Sequence, residues 1–80
     1  MADDRTVSRE VERILDEMIA AQRERLSEIA RRIEPSLGPD DLLQPHDYPA
    51  LVASPDFQFE DGVLAGYLGL RAAFRAIRQK

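Results

Sequence analysis

The chain has no cysteine, no tryptophan and a single histidine. Its longest uncharged apolar run is Gly62 to Leu70. Each shortage removes a class of function. Without cysteine there is no disulfide framework, no thiol nucleophile and no thiolate metal site. The one histidine, His46, has Asp40, Asp41 and Asp47 near it in sequence. A metal centre needs several ligands at defined spacing, and neither that spacing nor a calcium-loop pattern is present. No metal and no cofactor are expected. The apolar run is far short of the ~18 residues of a membrane span. The start, Met1-Ala2-Asp3-Asp4, is acidic and lacks the basic and apolar regions of a signal peptide. The expected compartment is therefore the cytoplasm.

Catalytic patterns are equally sparse. There is no phosphate-cradling loop, nucleophile elbow, aromatic–basic RNA-binding pattern or internal repeat. Glu60 and Asp61 are adjacent, so they point to different helix faces and do not form an acid–base pair. They sit where carboxylates favour the start of a helix. The chain reads as no enzyme.

What is present is helical periodicity. Eighty residues allow one domain at most, and a chain of this size buries only about 60% of its unfolded surface. The net charge is −4, unevenly spread. Residues 1–34 carry nine acids and seven bases. Residues 35–61 carry six acids and no Lys or Arg, and residues 62–80 carry Arg71, Arg75, Arg78 and Lys80 and no acid. The acidic middle argues against a nucleic-acid surface there. The basic end complements the dipole of a helix C-terminus.

Residues 1–5 read as frayed. Thr6 or Ser8 is the expected N-cap of a helix over about 6–33, because a hydroxyl there accepts from an orphan backbone N–H. Val7, Val11, Ile14, Leu15, Met18, Ile19, Leu26, Ile29, Ala30 and Ile33 fill one arc of roughly 160°. Gln22 lies at its centre, where a polar side chain either fixes register or reaches the seam's edge. The opposite face is charged, with Glu10/Arg13, Arg13/Glu17, Arg25/Glu28, Glu28/Arg31 and Glu28/Arg32 three or four apart, and reads as solvated. Pro35 ends the helix by pushing Glu34 out of the helical region.

All five prolines fall in the connector, 35–56. It also holds Leu37, Leu42, Leu43, Tyr48, Leu51 and Val52, which need burial, so an ordered connector of short turns is expected. Pro39 suits the start of a turn through Asp40–Leu43. Asp47 is a candidate cap for a turn through Val52. Ser54-Pro55-Asp56 signals a further helix start, and Phe57 with Phe59 is expected to plug the end of the hairpin.

The second helix, about 57–78, carries a large row (Phe59, Val63, Tyr67, Leu70, Phe74, Ile77) beside a small one (Gly62, Gly66, Gly69, Ala73, Ala76). Three glycines in a helix cost roughly 1 kcal/mol each against alanine. Close approach of another backbone would offset that, so Gly62, Gly66, Gly69 and Ala73 are the expected helix-packing residues and Gly66→Leu the most disruptive change. Leu64, Leu68, Arg71 and Arg75 form a mixed apolar–basic strip outside both rows and are the expected partner contacts. A helix apolar nearly all round must be buried nearly all round.

The expected fold is all-α: a two-helix hairpin with an ordered proline-rich connector, dimerising into a four-helix bundle with helix 57–78 central. The expected function is a non-enzymatic protein–protein interaction module, such as an assembly factor, adaptor or small subunit, binding itself and a second protein. The alternative is a small regulator contacting nucleic acid or a toxin-like partner through the basic end.

Overall fold

A computed structural model describes residues 3–38 and 47–78. It contains two long helices, α1 (Asp4–Ile33) and α3 (Pro55–Arg78), and a short α2 (Pro49–Val52) between them. Among the described residues there is no strand. α1 and α3 pack antiparallel along their lengths, as the ladder of contacts from Gln22–Glu60 to Glu12–Arg78 requires. The result is a rod with extents of 49 × 20 × 19 Å.

The helix ends follow from local chemistry. α1 starts one turn earlier than the hydroxyls imply. Asp3, in extended conformation, is its N-cap, and the Asp3 Oδ1 accepts from the Thr6 backbone N–H at 2.8 Å. A carboxylate caps as well as a hydroxyl and adds favourable charge at the positive end of the dipole. Thr6 is thus inside the helix as the donor, and neither it nor Ser8 is the cap. At the other end Glu34 is extended (φ −132°, ψ 90°), as the residue before Pro35 must be, and its N–H still closes on the Ala30 carbonyl. Tyr48, not Asp47, is the N-cap of α2, and Pro49 supplies its first turn without losing a needed donor. The Ser54 Oγ accepts from the Phe57 N–H at 3.1 Å and opens α3. The turn expected over Asp40–Leu43, and His46 with it, lies outside the described residues.

The core is concentrated at the closed end of the hairpin. Leu26 and Ala30 of α1, Leu37, Leu51 of α2 and Phe57 of α3 form one buried cluster, with Ile29, Ile33, Tyr48 and Leu64 packed against it. Leu15 and Ile19 continue the buried row toward the open end. Phe57 plugs the hairpin, but Phe59 does not, because 69% of it is exposed. Phe57 is also the one buried residue on α3.

Leu64 joins this core instead of standing outside it. The glycine row also lies elsewhere than expected. A methyl group added at Gly62, Gly66 or Gly69 would meet nothing within 4 Å, and Ala73 is exposed. No close approach between α1 and α3 requires these small residues. Periodicity defines two usable faces on α3 but does not say which meets α1. The inward face is the one bearing Phe57, Leu64 and Leu68.

Candidate functional site

The inward face of α3 brings its bases onto acids of α1. Arg71 Nη1 donates to Asp16 Oδ1 at 3.0 Å, and Arg75 and Arg78 both donate to Glu12. Arg71 and Arg75 are thus engaged within the chain and do not form a ready-made partner strip. The residue numbers run in opposite directions, with 12 and 16 against 75 and 71. Two acids and two bases, each four apart on its own helix, were a signal for this ladder in the sequence. These exposed ion pairs orient the open end but stabilise it little.

Nearer the closed end the helices are locked differently. Gln22 is buried at 8% exposure, and its Nε2 donates to the Glu60 backbone carbonyl at 2.8 Å and to Glu60 Oε2 at 2.6 Å. Arg25 Nε reaches Glu60 Oε1 at 2.9 Å. Arg25 therefore pairs across the hairpin and not with Glu28. A slip of either helix would leave the Gln22 amide buried without a partner, so this contact fixes register. Gln22→Ala is expected to cost about 1–2 kcal/mol, read as a lower urea midpoint. An unchanged midpoint would remove the register role.

The Gln22 amide, then Arg25, hold the Glu60 carboxyl below its ordinary value of 4.5. Arg75, ahead of Arg78, does the same for Glu12. Groups with depressed native values bind fewer protons folded than unfolded. Their contribution is fully present above pH 4.5 and is lost as pH falls through the lowered native values. Thermal melts should therefore show a stability that holds near neutrality and drops below about pH 4.5. In Glu12→Gln/Glu60→Gln the acid side of that profile should flatten.

The surface left over is apolar. Val7 (50% exposed), Ile14 (46%) and Met18 (37%), with half-buried Val11, form a row roughly a quarter-turn round α1 from buried Leu15, Ile19 and Leu26. On α3, half-buried Val63, Tyr67 and Phe74 lie beside the inward face. Exposed Leu70 (56%) and Ile77 (70%) come next round the helix. Tyr67 lines one groove with Met18 and Ala21, so the two rows share one side of the hairpin. The glycines lie further round, on the outer edge of α3. The arc read on α1 is thus half core and half this open face.

Pockets for chemistry are few. A cleft of about 330 Å³ at the closed end is lined by Arg25, Glu28, Ile29, Arg32, Asp56, Phe59 and Glu60. Two of its charged groups, Arg25 and Glu60, pair with each other. Among the described residues no group of three or more His, Asp or Glu is placed to hold a metal, and no helix is long and apolar enough to cross a membrane. Comparison with protein-family models, with curated proteins and with solved structures gives no match.

Proposed function

We propose that this chain is a non-enzymatic protein–protein interaction module, an assembly factor, adaptor or small subunit, and that association completes a helical bundle. The exposed face of Val7, Ile14, Met18, Leu70 and Ile77 carries this reading. Solvent does not favour so many large apolar side chains on one side of a small hairpin, and patches of this kind mark contact surfaces. The radius of gyration supports it. At 15.6 Å it exceeds the value of about 12 Å expected of a compact domain of this length.

The basic-end alternative has less behind it. Arg71 pairs with Asp16, and Arg75 and Arg78 share Glu12, so most of their charge is already met by α1.

The test is the size of the native complex. In gentle extracts of its own cells the chain should migrate well above its 9.1 kDa mass. Leu70→Glu, which alters an exposed residue, should return it to that mass with helicity intact. Wild-type chain migrating as a free monomer would overturn the reading.

A further inference from the structure

We infer that the apolar face is covered by a second copy of this chain, with the two-fold axis running along the hairpin, so that α1 of each copy lies antiparallel on α3 of the other. The inference rests on the interaction-module reading and specifies its partner and geometry.

The area fits one copy. A compact monomer of 9.1 kDa exposes about 4,900 Å², whereas this chain exposes 5883 Å². The surplus of about 1,000 Å² compares with the roughly 800 Å² that each partner buries in a standard interface.

The charge pattern is self-complementary. At the closed end α1 carries Arg25 and Arg32 and α3 carries Asp56 and Glu60, around one cleft. At the open end α1 begins with Asp3 and Asp4 and α3 ends with Arg75 and Arg78. With the axis along the hairpin, Arg32 of α1 comes beside Asp56 of the second copy, and Asp4 beside its Arg78, which also pairs with Glu12 of its own chain. Turning the second copy end for end on the same face necessarily sets α1 on α1 and α3 on α3, and there too the acidic start of each helix meets the arginines at the end of its twin. Opposite charges thus favour a second copy as the occupant in both orientations, and length decides between them.

Length excludes the remaining arrangement, α1 on α1. The apolar rows span residues 7–21 and 63–77, displaced toward the open end. An end-for-end pairing that overlays them leaves the closed ends overhanging, with Phe59 still 69% exposed. With the axis along the hairpin, rows overlay rows, Phe59 is covered by α1 of the second copy, and all four neighbouring helix pairs are antiparallel, as in an up-down bundle.

The chain has no native cysteine, so Thr6→Cys and Glu28→Cys can be spin-labelled singly and their inter-copy distances measured on the purified protein, with sedimentation giving the mass. A dimer is expected. Facing α1 helices across a bundle lie about 13 Å apart, so both label pairs should be close. An end-for-end dimer centred near Ile14 would instead place the Glu28 labels about 42 Å apart, which would overturn the orientation. Leu70→Glu should abolish the dimer while keeping helicity; a dimer that survives it would overturn the face. A folded wild-type monomer at micromolar concentration would overturn the second copy, and a large complex in extracts would then still support the interaction module.

Discussion

Phe57→Ala should remove a large share of the stability of the chain. Phe57 is 1% exposed and is the anchor of α3 in the closed-end cluster with Leu26, Ala30, Leu37 and Leu51. Truncating a buried phenylalanine costs about 3–5 kcal/mol. A domain of 80 residues has a total of only about 4–12 kcal/mol. The loss also falls where it matters most, since the open end is held by solvated ion pairs and by few buried side chains. Urea denaturation followed by circular dichroism reads the effect directly. Phe59→Ala is the control two residues away. With 69% of Phe59 exposed, it should move the stability of the isolated hairpin by no more than about 0.5 kcal/mol. Comparable losses for the two would mean that the plug of the hairpin is wrongly placed.

Replacing Gly62, Gly66 and Gly69 together with alanine should stabilise the hairpin. Nothing lies within 4 Å of a methyl group at any of the three, so no clash opposes the gain. Each glycine in a helix interior costs about 0.8–1 kcal/mol against alanine. The triple change should therefore add about 2.5 kcal/mol, or roughly 10–20 °C in Tm for a domain of this size. This reverses the sign expected if the small row were the seam between α1 and α3. It also separates two roles. A rise in Tm together with an unchanged native complex would show the glycine edge to be spare surface. A rise in Tm with loss of that complex would place a partner's backbone on the edge. A fall in Tm of the isolated chain would contradict the open environment of all three.

Much of the architecture was legible because helices announce themselves by period and punctuation. The extent of α1 to Ile33 followed from Pro35 and the end of α3 from its arginines, while α3 starts at Pro55, two residues before the expected 57. The cap of α1 was missed because Asp3, Thr6 and Ser8 are all competent acceptors, and only the path of the chain chooses among them. Gln22 was visible as a polar residue in an apolar arc, but its partner, 38 residues away, was not.

The orientation of α3 differs from the one expected of its two rows. Leu64, Leu68, Arg71 and Arg75 turn toward α1, whereas Gly62, Gly66, Gly69 and Ala73 turn away. Both faces of α3 are apolar enough to be buried, so hydrophobicity alone could not rank them. By itself the sequence determined that there would be two long helices, that a proline-rich segment would join them, and that α3 would have more apolar surface than one neighbour could cover. The tertiary structure decided which surface was left over. Antiparallel pairing sets Glu12 and Asp16 opposite Arg75 and Arg71 and Gln22 opposite Glu60. Those long-range contacts fix the rotation of α3 about its axis, which a 3.6-residue period leaves undetermined.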